Sequence, residues 1–141
     1  MPGRFPYETR HRYPHMLGED KDIWDRFVKL YPGRFDSVDY DFRVGDGIPQ
    51  DPSLDPDTRA TMKLLTQKRI DVLGWNRDKP TIVEVKKRVG LSALGQCLGY
   101  RDLFIREFPN IPRPGLLVVT ETIFRDDLLV LKARGIAVVI C

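Results

Sequence analysis

The stretch RIDVLGWNRDKPTIVEVKK, residues 69 to 87, decides the fold. Two apolar runs flank the polar residues 76 to 79, and this arrangement predicts two antiparallel strands joined by a tight turn. The second run carries Glu84 and Lys86, which are two residues apart and therefore share one side of a strand. Because charged groups are costly to bury unless they are paired or bind a metal, we expect this strand to have a chemical role.

The predicted register of this hairpin brings two acidic residues together. A turn centred between Arg77 and Asp78 places Asp71 directly opposite Glu84. Cβ atoms of such neighbours lie roughly 4.5–5.5 Å apart, and like charges at these positions are destabilising. A hard cation such as Mg²⁺ takes oxygen ligands and retains several waters, so one carboxylate from each strand and a backbone carbonyl would suit it. Lys86 is expected on the same face, beside the cation.

The segments before the hairpin predict a helix, a strand and an insertion. Residues 18–33, GEDKDIWDRFVKLYPG, have an apolar stripe, acidic residues at the start and Pro-Gly at the end, which is typical of a helix. Residues 37–45, SVDYDFRVG, alternate as a half-exposed strand with Val38, Tyr40, Phe42 and Val44 on one face. Residues 46–68 are predicted to be an insertion made of a Pro- and Gly-rich loop and a short helix.

The segments after the hairpin predict two helix-strand units. A helix is expected from about Leu91 to Phe108, followed by a short apolar strand, LLVVT. Residues 121–135 predict an amphipathic helix, and residues 136–141, IAVVIC, a final strand buried under helices on both faces. The order predicts an α/β fold with a mixed sheet, antiparallel at the hairpin and parallel where helices connect the strands.

Composition indicates one soluble domain. The chain has 141 residues, of which 42% are hydrophobic and 30% charged, enough to bury a core. We divide it into a basic N-terminal arm, residues 1–16, and a single domain, residues 17–141. The net charge of +3 is too small to indicate nucleic acid by itself. Two cysteines, and no secretory signal or long apolar span, favour a reducing cytoplasm and no membrane association.

Three motifs together resemble a known family. RIDVLGW and IVEVKK match the Asp and Glu-x-Lys signature, and GQCLGY matches a Gln-x-x-x-Tyr element through Gln96 and Tyr100. The chain resembles the PD-(D/E)XK nuclease superfamily over about residues 17–104, and it is most similar to the catalytic domain of NucS-type endonucleases. Ile70 stands where the family name has proline. The resemblance implies a restriction-endonuclease-like αβββαβ core, here followed by one more helix and strand, and one or two Mg²⁺ or Mn²⁺ ions.

The resemblance also implies a role for each matched residue. Asp71 and Glu84 would bind the metal, together with the carbonyl of Val85 and an acid of the first helix. Glu19 is our choice for that acid, with Asp20 and Asp22 as alternatives. The residues expected to act in catalysis are Asp71, Glu84, Lys86 and Gln96. Those expected to contact nucleic acid are Lys87, Arg88, Arg10, Arg12 and Tyr100.

The expected activity is metal-dependent hydrolysis of phosphodiester bonds in DNA, with RNA left open and a homodimer suggested by family analogy alone. The alternative is a non-catalytic subunit with the nuclease fold, structural or adaptor, in a phage or mobile-element assembly. NucS-type proteins carry a separate DNA-binding domain that has no counterpart in this chain, so substrate preference is not carried over. We also expect Trp24 and Trp75 in the core, and Gly95 and Gly99 to allow close packing of a helix on the sheet.

Overall fold

A computed structural model describes residues 3–141, which form an α/β fold with six strands in one mixed sheet and four helices. The elements in chain order are β1 (Phe5–Pro6), α1 (Gly18–Leu30), β2 (Ser37–Val44), α2 (Pro56–Thr66), β3 (Lys68–Asn76), β4 (Lys79–Val89), α3 (Ser92–Glu107), β5 (Gly115–Ile123), α4 (Arg125–Ala133) and β6 (Ile136–Ile140). The predicted order, α-β-β-β-α-β with a further helix and strand, is confirmed. Helix α2 lies in the predicted insertion.

The strands follow one another across the sheet in chain order, β1 to β6. The pairs β1–β2, β2–β3 and β3–β4 are antiparallel. The pairs β4–β5 and β5–β6 are parallel, as helical crossovers require. The hairpin has the predicted register, since Val72 pairs with Val83 and Asn76 with Lys79. Arg77, in its two-residue turn, has a positive φ of 58°, as tight hairpin turns require.

Helices cover both faces of the sheet and create two apolar clusters. The stripe of α1 buries Ile23, Trp24, Phe27 and Val28 against one face. The other face is covered by α3 and α4, which contribute Ala93, Cys97, Phe104 and Leu131. Both tryptophans, Trp24 and Trp75, are fully buried, as predicted. The sheet is therefore the middle of three layers, an architecture that buries apolar strands on both sides.

Strand β2 departs from the predicted alternation. Val38 and Tyr40 pack in the cluster under α1, whereas Val44 and Phe42 pack in the cluster under α3. The change occurs at Asp41, whose φ is +50°. A left-handed residue breaks the two-residue period of a strand, and aspartate tolerates this conformation better than most residues. The prediction that all four apolar residues share one face is wrong for this reason.

The final strand also differs from its prediction. Strand β6 pairs with β5 alone and forms an edge of the sheet. Ile136 is buried, but Ile140 is 53% exposed. The strand is thus only partly covered, although its apolar sequence is typical of strands buried on both faces.

The segment that the sequence marks as a basic arm packs on the sheet. Its first two residues lie outside the described range, and Phe5–Pro6 pairs with β2. Tyr13 and Met16 are buried in the cluster under α1, where a short bridge between them forms a turn. Among residues 3–141, no helix has both the length and the apolar character to cross a membrane.

Candidate active site

A buried carboxylate, Glu84, and a half-buried one, Asp71, meet where β3 and β4 stop pairing. The last bridge of the hairpin joins Val72 to Val83, and Asp71 and Glu84 follow directly on the two strands. The backbone N–H of Val85 donates to Asp71 Oδ2 at 2.9 Å, and each of the two carboxyl groups shifts the pKa of the other. Glu84 is only 7% exposed, and its Oε2 has no hydrogen-bond partner among residues 3–141. The structure therefore brings the predicted pair together with one oxygen unsatisfied.

Burial dominates the protonation of this pair. Desolvation, reinforced by the Asp71 carboxylate and opposed by Lys86, raises the pKa of Glu84 to about 8. Desolvation also raises the pKa of Asp71, to about 6, whereas the hydrogen bond from Val85 lowers it. Desolvation and a neighbouring negative charge disfavour an ionised carboxylate, whereas a hydrogen bond donated to it favours the ionised form. At neutral pH the pair resists carrying two negative charges unless a cation joins it.

Asp20 is the acid of α1 that comes close to the pair. Its charge raises the pKa of both Asp71 and Glu84, and burial raises its own pKa, opposed by a hydrogen bond from the backbone of Lys87. Glu19 is turned away, because its side chain is 66% exposed and accepts a hydrogen bond from Lys87 Nζ at 2.9 Å. The structure thus places Asp20, rather than Glu19, beside the candidate metal ligands.

The cationic residues after Glu84 differ in their surroundings. The Lys86 side chain is exposed. Its positive charge lowers the pKa of both Glu84 and Asp20. Its charge is therefore within electrostatic range of the pair and open to a substrate. The ammonium of Lys87 is engaged by Glu19, whereas Arg88 is exposed.

Helix α3 presents two predicted residues to the same region. Gln96 has a buried Oε1 without a partner among the described residues. Burial, together with the charges of Glu84 and Asp71, raises the pKa of Tyr100 to about 12, so the phenol lies within electrostatic range of the pair. Both residues line a cleft of about 270 Å³ between α3 and the start of β3.

A second charged group, not predicted from the sequence, lies next to Asp71. Asp41 contacts three side chains: His15 Nε2 at 3.3 Å, an Nη of the Arg43 guanidinium at 3.4 Å and Nε of the Arg69 guanidinium at 3.4 Å. Its side chain is 8% exposed, and its charge raises the pKa of Asp71. Strict alternation places Asp41 on the solvent face of β2, so the sequence pattern concealed this group. The only available signal was an aspartate that interrupts an apolar strand.

The arginines of the N-terminal segment lie outside these contacts. The guanidinium of Arg10 is 4.9 Å from the ring centre of Phe5, and its Nε donates to the carbonyl of Arg12. Arg12 itself is exposed. Within residues 3–141, neither arginine forms an ion pair with the carboxylates of the site. If these arginines contact nucleic acid as predicted, they do so on a surface away from the carboxylate pair.

The pair provides part of a metal site. No group of three or more His, Cys, Asp and Glu side chains in the described part of the chain is arranged to hold a metal ion. Two carboxylates do suit Mg²⁺, which retains several waters and binds through one or two protein carboxylates. The unsatisfied oxygen of Glu84 and its raised pKa fit such an ion, because both are relieved when a cation binds.

Comparison with known proteins provides no relative. No protein-family model, no curated protein and no solved structure matches the chain. The roles of individual residues are therefore inferred from the chemistry of the carboxylate pair and the groups around it.

Proposed function

We propose that the protein is a metal-dependent nuclease that hydrolyses phosphodiester bonds in DNA. The observation that carries this proposal is the buried, unpartnered Oε2 of Glu84 beside the Asp71 carboxylate. A buried carboxylate without a partner is costly because it loses its hydration. A second carboxylate facing it adds repulsion between like charges. A divalent cation offsets both terms, which gives a physical reason for the pair to exist.

Several side chains would hold the ion and act beside it. Asp71 and Glu84 would bind Mg²⁺ or Mn²⁺, with the carbonyl of Val85 as a further oxygen ligand, and the charge of Asp20 lies within electrostatic range of both carboxylates. When bound, the ion would polarise a phosphate oxygen and make a water more acidic. Lys86 is exposed next to the pair, so its ammonium is available to orient that water or to offset charge on the phosphate.

Gln96 completes the group around the water. Its Oε1 is a buried acceptor without a partner, and an acceptor of this kind suits a water that must present its lone pair to phosphorus. A carboxamide does not change its charge with pH, so it positions the water without competing for its proton.

The surroundings of the pair favour a polyanionic substrate. Arg43 and Arg69 share Asp41, which leaves an excess of positive charge beside Asp71. The Arg69 side chain is 42% exposed, so the guanidinium N–H groups that do not face Asp41 are accessible to phosphate. Arg88 adds an exposed charge after Lys86 on β4. Guanidinium groups bind phosphate oxygens in two-point contacts, which position a nucleic acid backbone without reading its sequence.

The test is cleavage of linear, circular, single-stranded and branched DNA with and without Mg²⁺ or Mn²⁺. The parent protein should cleave at least one substrate when metal is present. Lys86→Ala should reduce the rate at least about a hundredfold, the range of a lost proton-transfer or water-positioning group, while DNA affinity is retained. Lys79→Ala, an exposed lysine at the start of the same strand, is the matched control and should behave like the parent.

Two outcomes would contradict the proposal. Equal cleavage rates in Lys86→Ala and the parent would remove the assigned mechanism. The non-catalytic subunit would be favoured by two results together. The parent would cleave none of the substrates, and calorimetry would detect no saturable Mn²⁺ binding to the parent that Asp71→Ala abolishes.

A further inference from the structure

Two glycines in the middle of α3 have no structural requirement for glycine. Gly95 and Gly99 lie in a regular helix and do not have positive φ angles. A Cβ built at either position meets no heavy atom within 4 Å. The prediction that they allow the helix to approach the sheet closely is therefore wrong. Each glycine nevertheless costs the helix about 1 kcal/mol relative to alanine.

The space above these glycines is a cleft between α3 and the start of β3. It measures about 270 Å³ and is lined by Lys68, Gly95, Gln96, Gly99, Tyr100 and Leu103. A second cleft of about 260 Å³ shares Lys68 and Leu103 with the first and continues to the Gly45–Ile48 loop and Thr66. The two clefts are therefore neighbours, with Lys68 and Leu103 lining both.

The lining has the chemistry of a nucleotide site. Tyr100 and Leu103 provide an aromatic and an aliphatic wall, and the bare backbone at Gly95 and Gly99 provides a floor without side chains. The floor and walls suit a flat ring, which stacks on aromatic side chains. Lys68 is exposed at the junction of the two clefts, where its ammonium is available to a phosphate.

We propose that the α3 cleft binds a nucleoside of the substrate strand, next to the phosphate that lies at Asp71 and Glu84. This inference rests on the proposed function and adds the contact that orients the strand. Tyr100 and Gln96 are the link between the two sites, because both line the cleft, and the sequence predicts Gln96 to act in catalysis and Tyr100 to contact nucleic acid. The phosphate on the far side of the bound nucleoside would face Lys68.

The test fills the cleft with a side chain that the fold can accept. Gly99→Leu places an isobutyl group in the cleft, whereas Gly33→Leu makes the same change at an exposed turn residue whose Cβ also meets nothing within 4 Å. Gly99→Leu should weaken binding of a labelled single-stranded oligodeoxynucleotide at least about tenfold, the size of one lost base-stacking contact, in fluorescence anisotropy without metal. Gly33→Leu should bind within twofold of the parent.

Stability and cleavage measurements separate the possible outcomes. Gly99→Ala should raise the melting temperature, because it restores helix propensity in open space. If Gly99→Leu does not fold, Gly95→Leu fills the same cleft and replaces it. Parent-like binding and cleavage in the folded leucine variant would refute the cleft while the nuclease proposal stands. A parent that neither binds nor cleaves DNA would refute the nuclease proposal, and the cleft site with it.

Discussion

Replacing Glu84 by glutamine removes one charge from the carboxylate pair and keeps its shape. The pKa of Glu84 is raised from 4.5 to about 8, so the fold favours the protonated acid. The stability that this group contributes is fully present below pH 4.5, where it is protonated in both folded and unfolded chains. It is lost as the pH rises toward 8, because the unfolded chain then releases a proton that the folded chain retains.

The expected magnitude follows from this difference of one proton. Linkage predicts that the free energy of unfolding falls by about 1.4 kcal/mol per pH unit within that window. Between pH 5 and 7 the metal-free parent should therefore lose about 2.5 kcal/mol relative to Glu84→Gln, whose amide does not titrate. Urea unfolding of both proteins at pH 5, 6 and 7 measures this difference. The result to compare is how the free energy of unfolding changes with pH in each protein.

Metal and a control variant complete this test. Mg²⁺ at a hundredfold excess over its dissociation constant should stabilise the parent by about 2.7 kcal/mol at pH 7, and it should have a much smaller effect on Glu84→Gln. Glu107→Gln, at an exposed carboxylate that ends α3, should show neither effect. A parent and a Glu84→Gln variant with parallel stability curves, or with equal stabilisation by Mg²⁺, would refute the reasoning about the pair.

Two further predictions concern groups around the site. Arg69→Gln should weaken DNA binding and reduce the slope of log affinity against log salt by about 1, as one lost phosphate contact requires. The exposed Lys132 on α4 provides the control, and an unchanged slope in Arg69→Gln would contradict the contact. Asp39→Ala should lower the free energy of unfolding by about 2 kcal/mol, because Trp75 Nε1 loses its buried acceptor at 3.0 Å. Thermal and urea unfolding measure this loss, and a change below about 0.5 kcal/mol would show that the hydrogen bond is dispensable.

The hairpin and its carboxylate pair could be predicted from the sequence because the information is local. The short polar turn between the apolar runs at residues 69–75 and 81–87 determines the register. Helix α1 and the burial of its apolar stripe follow from spacing in the same way. These features need no knowledge of distant contacts, so the sequence alone determines which two carboxylates face each other.

The rest of the site depends on contacts between distant segments. Asp41 lies beside Asp71 because its own backbone is left-handed and interrupts the alternation of β2. In this position its carboxylate contacts His15 of the N-terminal segment. Asp20 rather than Glu19 faces the pair because of the rotation of α1 on the sheet and the ion pair of Glu19 with Lys87. The sequence by itself determined the fold order and the central acids. Only the tertiary structure decided their neighbours and the open cleft above α3, because helix rotation, strand parity and empty space arise from packing between segments far apart in the chain.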